Sequence, residues 1–223
     1  MNPLSGADIL HSLLPEGDHA GYIFDCDGTL ADSMPLHFRS WSHAYRTHGA
    51  SFAFAWELFY SMAGTGLHDT VQILNQRYGE SLDPDAVVAT QMARVGKQHH
   101  TLKPILPVVD LARMLAQTRP IAVASGGIRE HVHRSLEIVG IADLFSVVVT
   151  QEDVANSKPA PDSFLLAAEK MGVSPSQCIV FEDSSLGLEA AERAGMRGYT
   201  SIPKSIPQGR ASAKVRSDCP LHL

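Results

Sequence analysis

Short apolar runs that each stop at residues able to do chemistry, with helical spacing between them, constrain this chain most. Gly21-Tyr22-Ile23-Phe24 ends at Asp25, and Pro120 to Ser125 is stopped by Gly126-Gly127. Phe145 to Thr150 forms a third run, Cys178 to Phe181 ends at Glu182-Asp183, and Met196 to Ser201 makes a fifth. Apolar runs this short, bounded by turn signals, read as buried strands. Between them, Val109 to Gln117 has helical character, and Ile128, Val132, Leu136 and Val139 recur at helical spacing. Ser163 to Met171 follows Pro161-Asp162, a helix start, and Leu186 to Ala194 meets Gly195, a helix stop. Strands alternating with helices predict an α/β fold, a parallel sheet covered on both faces.

One segment breaks the rhythm. From Met34 to Lys103 the pattern is helical, with helices expected over Leu36–His48, Leu67–Tyr78 and Pro84–His99, the last capped by Asp83. This predicts a helical cap over residues 34–103, inserted into a core made of 1–33 and 104–223. Pro104 and Pro107 stiffen the return. The tail from Pro203 carries basic and small residues and is expected to be solvated.

The formal charge of −6 excludes the basic surface that non-specific nucleic-acid binding needs. An anionic ligand must therefore be drawn in locally. The 3 cysteines, Cys26, Cys178 and Cys219, form no disulfide framework and fit a reducing, cytoplasmic setting. No run approaches the ~18 apolar residues of a membrane span, and no secretory leader is expected. A monomer is the expected state. His131 and His133 stand two apart in a helical stretch, a spacing that does not converge on one metal ion.

Asp25-Cys26-Asp27-Gly28-Thr29-Leu30 follows the first strand directly. Residues two apart on an extended chain point the same way, so Asp25 and Asp27 can share a site. Two adjacent carboxylates repel unless a proton or cation intervenes, and Mg²⁺, a hard cation, suits carboxylates, water and phosphate oxygens. Ser125, before two glycines, can offer a hydroxyl and backbone N–H groups to phosphate. Lys158 precedes Pro159, which biases it toward an extended backbone and can present a fixed ammonium. Glu182-Asp183 can complete a metal site. Singly, each has a bland reading as a turn, an exposed lysine or a helix cap.

Together and in this order they resemble the haloacid dehalogenase-like (HAD) hydrolase superfamily, whose pattern is DxDGT, then Ser or Thr after a strand, then Lys, then an acidic pair. The resemblance runs from about Gly21 to Ser201. It implies a Rossmann-like three-layer core with an inserted α-helical cap. It also implies a Mg²⁺-dependent phosphatase acting on a small phosphorylated metabolite, such as a sugar phosphate. Asp25 would be the nucleophile, forming an aspartyl-phosphate, and Asp27 the acid/base. Ser125 and Lys158 would hold the phosphoryl oxygens, with Gly28, Thr29, Gly126 and Gly127 in the phosphate-binding loops. The metal would be held by Asp25, Asp27 through its backbone carbonyl, and Asp183, with Glu182 as ligand or supporting partner.

Ala31 to Trp41 is similar to the β-phosphoglucomutase branch. The stretch from Ser157 to Asp162, with Phe164-Leu165-Leu166 and Gln177 to Asp183, is similar to fructose-1-phosphate phosphatase types. In that branch cap residues such as His37 and Trp41 face the site. The mutase of the branch holds its substrate's second phosphate with a cap arginine, where this chain has Leu67. It also has Lys-Asn after the second-motif serine, where this chain has Ile128-Arg129. Arg129 could substitute, since its fork suits phosphate. These departures favour a phosphatase over a phosphomutase. A non-catalytic phosphate binder is the third reading, against which the intact Asp25, Asp27, Lys158 and Asp183 weigh.

Overall fold

Phe24, Val123, Val180 and their neighbours are wholly buried, and a strand enclosed on both faces must pair on both edges to satisfy its backbone. The computed structural model, which describes residues 19–200, meets this with five parallel strands in the order β3-β2-β1-β4-β5. They are β1 (Gly21–Phe24), β2 (Ile121–Ala124), β3 (Val147–Val149), β4 (Cys178–Glu182) and β5 (Arg197–Thr200). β1 lies centrally, with Phe24 registered against Val123 on one side and Phe181 on the other.

Side chains alternate between the two faces of the sheet. Tyr22, Phe24, Val123 and Phe181 pack on one face with Val108 and Leu111 of α5 (Leu106–Leu115) and Val132 and Leu136 of α6 (Arg129–Ile138). Ile23, Ala122, Ala124 and Val180 pack on the other with Phe164 and Ala168 of α7 (Asp162–Met171) and Ala190 and Ala191 of α8 (Ser185–Arg193). This is the expected three-layer α/β core.

The interrupting segment has its own core. Helices α1 (Met34–Thr47), α2 (Trp56–Ser61), α3 (Leu67–Tyr78) and α4 (Pro84–Gln98) enclose Trp41, Tyr45, Phe59, Val71, Leu74 and Val87. Three of them match the expected helices to within about two residues, and the Asp83 side chain caps α4 by accepting from the Asp85 N–H. Sequence periodicity missed α2, because 6 residues are too few to establish a period. The chain leaves the core beside the place where it returns: Asp32 N donates to Lys103 O, and Ile105 N to Leu30 O.

Several predicted edges were too generous. The third strand spans 3 residues, not the six from Phe145 to Thr150, because Phe145 closes a 3₁₀ turn and Thr150 caps the next one. His131 packs edge-to-face on buried His99, while His133 is exposed. The tail after Pro203 lies outside the described residues. No described helix is long and apolar enough to cross a membrane.

Candidate active site

The sheet delivers its chemistry at one edge. Asp25 N donates to Phe181 O and Ser125 N to Val149 O, each at 2.9 Å, so both residues continue their strands by one hydrogen bond before the chain turns away. Asp183 follows β4 directly, and Ser184 caps α8 by accepting from Gly187 N. In parallel α/β sheets this carboxyl edge is where ligands bind.

Lys158 comes from the loop between β3 and α7 and is almost completely buried. Its Nζ lies 2.7 Å from Asp25 Oδ1, 2.7 Å from Glu182 Oε2 and 3.2 Å from Ala124 O. Burial alone would favour the neutral amine, but the Asp25 and Glu182 carboxylates hold Lys158 above the usual lysine range. The exposed loop lysine that is the commonest fate of this residue type is therefore not what forms. The Lys158–Pro159 peptide is cis.

Glu182 is saturated. Beyond Lys158, its Oε1 accepts from Asp183 N, Ser184 N and Ser184 Oγ. Burial works against its charge, and Lys158 and Ser184 overcome this and keep the carboxyl below its usual range. This geometry makes Glu182 the anchor of Lys158 first; of the two metal roles expected for it, the supporting one fits better.

Asp27 Oδ1 accepts from Ser33 Oγ at 2.5 Å and lies 3.2 Å from His37 Nε2. Burial would raise the Asp27 carboxyl, but the His37 imidazole and the hydrogen bonds from His37 and Ser33 hold it down at about 2. Its other oxygen faces Gly127: a Cβ there would stand 3.3 Å from both Asp27 Oδ2 and Ser125 Oγ. Oδ2 is thus turned toward the serine loop.

Asp25, Glu182 and Asp183 each bring a carboxylate oxygen within 4.8 Å of the others. Burial pushes the Asp25 carboxyl up to about 8, with Glu182 adding to it against the pull of Lys158. Asp183 is held well above its usual range by burial, then by Glu182 and Asp25. One ammonium does not neutralise this cluster. A hard divalent cation bound by Asp25 and Asp183 would, so the donor set fits Mg²⁺.

A cavity of about 110 Å³ joins these groups to the cap. Asp25, Asp27, Ser125, Gly126, Gly127 and Asp183 form its core side. His37, Trp41, Phe59, Leu67 and Thr65 are among the residues on its cap side, so both cap residues singled out in the sequence reach the site. Four expected residues do not line it. Lys158 lies behind the wall, its Nζ on Asp25 and Glu182. Arg129 turns away to Asp153, at 2.8 Å, because Glu152 and Asp153 at the end of β3 attract both its backbone and its fork. Thr29 is fully buried in the turn after Asp27. Gly28 spends its N–H on Ala31 O, so it does not donate to a phosphate. Its role is steric: at φ +88°, a Cβ would meet Asp183 Oδ2 at 2.2 Å.

The haloacid dehalogenase-like hydrolase family model matches residues 22–200, a span holding every residue of this site. The chain belongs to the haloacid dehalogenase-like hydrolases. Among curated HAD relatives, fructose-1-phosphate phosphatase YqaB of Escherichia coli is 34% identical over 178 residues, covering 80% of this chain and 94% of that protein. A phosphorylated carbohydrates phosphatase of Thermotoga maritima is 28% identical, covering 85% of this chain and 88% of that one. Among solved structures, a hydrolase from Pseudomonas syringae superposes with a TM-score of 0.74 at 24% identity, covering 80% of this chain and 83% of that one. The similarity to the fructose-1-phosphate phosphatase relative agrees with the branch that the sequence resembles. The chain is an HAD phosphatase.

Two site residues of this HAD chain escaped sequence reasoning. Ser33 stands at the joint into the cap, where the sequence offers no sign of chemistry, yet its hydroxyl holds Asp27. Tyr60, on the missed helix α2, donates from its hydroxyl to Asp183 Oδ2. The available signal was the aromatic crowding of Phe52, Phe54, Trp56, Phe59 and Tyr60 in a chain only 7% aromatic. Tyr60 is the one residue there with a hydroxyl.

Proposed function

We propose that the chain hydrolyses the phosphate monoester of a small, uncharged polyol or sugar through an aspartyl-phosphate on Asp25, with Mg²⁺ as cofactor. The reading divides the chain into a core of residues 1–33 and 104–223 and a cap of 34–103. The observation that carries it is the cavity wall: among the described residues lining it, none is Lys or Arg. The core supplies groups for one phosphoryl group, while the cap supplies Trp41, Phe59, Met62, Leu67 and a few hydroxyls. A phosphomutase must hold a second phosphate, and this cavity offers that dianion no cation. A neutral carbon skeleton fits such a wall.

The Asp25 carboxylate attacks phosphorus in line with the leaving oxygen. Lys158, held on Asp25 and Glu182, offsets the charge of the phosphoryl oxygens, and Ser125 donates a hydrogen bond to one of them. Ser125 Oγ is steadied by accepting from Gly127 N at 3.0 Å. Asp27, its Oδ1 held by Ser33 and His37, is ionised in the empty site. The negative charge of a phosphoryl group beside it favours its protonated form, so Oδ2 gives a proton to the leaving oxygen and later takes one from the attacking water. When bound at Asp25, the Asp27 carbonyl and Asp183, Mg²⁺ supplies charge neutralisation for the approach of a dianion to a carboxylate.

A panel of phosphate monoesters, including fructose 1-phosphate, tests this with Mg²⁺ beside an assay for isomerisation of β-glucose 1-phosphate. Phosphate release without isomerisation is expected. Efficient conversion to glucose 6-phosphate would establish the mutase instead, and no turnover by a folded, metal-bound protein would establish a binder.

A further inference from the structure

The cap reaches the acidic edge of the core with two side chains. His37 meets Asp27, and Tyr60 meets Asp183. The second contact is the less expected, because Asp183 is the carboxylate that the cation must share with Asp25. Its Oδ2 is enclosed by the Gly28 backbone on one side and the Tyr60 hydroxyl on the other. A carboxylate oxygen of Asp183 still lies within 4.8 Å of one on Asp25. Tyr60 is itself braced by Trp56, at 5.5 Å between ring centroids, and by Phe59, at 6.3 Å. The cap loop that follows it presses on the core, where a Cβ on Gly126 would stand 3.0 Å from Gly64 O.

We propose that Tyr60 is a cap-borne positioning residue for the metal centre: its hydroxyl orients Asp183 for the cation and thereby links cap closure to metal binding. The inference rests on the metal reading given above. A carboxylate that has one oxygen fixed by a hydrogen bond loses less freedom when the other takes a cation, and removing such a partner typically weakens metal binding by about 10–100-fold. The hydroxyl is carried by α2 and the carboxylate by the core, so any movement of the cap away from the sheet edge breaks the contact. By reciprocity, closure then strengthens Mg²⁺ binding, and Mg²⁺ favours closure by the same factor. A metal bound to the open enzyme would be held less tightly, and the complete site would assemble only over an enclosed substrate.

Calorimetric titration of the full chain with Mg²⁺ alone tests this on wild type, Tyr60→Phe and Asp183→Asn. Tyr60→Phe is expected to bind Mg²⁺ about 10-fold more weakly or worse, with a cooperative metal-free unfolding transition lowered only by the loss of one hydrogen bond, and Asp183→Asn to lose binding. Both tryptophans, Trp41 and Trp56, lie in the cap. Their fluorescence should shift with Mg²⁺ in wild type and less so in Tyr60→Phe at metal saturation. In turnover, Tyr60→Phe should raise the Mg²⁺ concentration needed for half-activation, with kcat recovering at saturating metal. Unchanged or tighter Mg²⁺ binding by Tyr60→Phe, with binding still lost in Asp183→Asn, overturns the role of Tyr60 and leaves the metal centre standing. Failure of wild type itself to bind Mg²⁺ overturns both.

Discussion

His37 Nε2 lies 3.2 Å from Asp27 Oδ1, a contact between helix α1 and the loop that follows β1. It ties the proton-transfer group to cap position, because Asp27 keeps this partner only while α1 stays over the sheet edge. His37→Ala should therefore lower kcat by about 10²-fold, toward the lower limit of a general acid's contribution, while leaving Mg²⁺ affinity intact. The acidic limb of kcat, where Asp27 must be ionised to take the proton of the attacking water, should move upward, since the partner that holds Asp27 down at about 2 is removed. Steady-state kinetics from acid to neutral pH measures both, and an unshifted limb would detach His37 from Asp27.

Replacing the nucleophile and the acid should produce different failures. Asp25→Asn should abolish turnover by ~10⁴-fold or more with the fold intact. Asp27→Asn should slow both steps by ~10²–10⁴-fold and still permit labelling of Asp25 by a substrate with a good leaving group. Mass spectrometry of acid-quenched protein distinguishes them: a phosphorylated Asp25 peptide is expected in the second variant and absent from the first.

Lys158 is as much a structural ion as a chemical one. Its side chain is 2% exposed, between Asp25 and Glu182. Lys158→Met leaves the buried Glu182 carboxylate without its ion-pair partner, and such orphaning costs about 3–5 kcal/mol. Denaturant unfolding should show this loss, and adding Glu182→Gln should recover part of it. A recovery of stability without activity would separate the two roles of the lysine.

Metal binding should strengthen as pH rises. Without a cation the Asp25 carboxyl sits at about 8, above its usual 3.8. The folded protein then binds more protons than the unfolded chain across that window, so this group's contribution to stability is full below about pH 4 and is lost as pH rises through about 8. Mg²⁺ must displace that proton, so its affinity should climb between about pH 6 and pH 8. Thermal unfolding at those two values, with and without Mg²⁺, should show the larger metal-induced rise at the higher pH.

Gly28→Ala should weaken Mg²⁺ binding without replacing a ligand. At φ +88° an alanine is strained, and its methyl meets Asp183 Oδ2. Calorimetry should find reduced affinity, and wild-type affinity would mean that Asp183 can move aside.

Much of this architecture is written locally. Asp25 follows four buried residues, Ser125 precedes two glycines, and Lys158 precedes a proline, so strand ends and loops can be read one at a time. Arg129 was misjudged for the same reason. Its sequence position beside the serine loop is right, but its fork is claimed by Asp153, a residue brought near only by the pairing of β2 with β3.

By itself the sequence determined the alternating α/β core, the helical run that interrupts it and the polar residues at the strand ends. All of these depend on the order of residues within short windows, where periodicity and turn preferences act. Only the tertiary structure decided that Glu182 anchors Lys158, that Asp27 is held by Ser33 and His37, and that Tyr60 reaches Asp183. Those contacts join separate elements, Tyr60 and Asp183 being 123 residues apart. Their partners are chosen by how the cap packs over the sheet edge, and no local preference encodes that apposition.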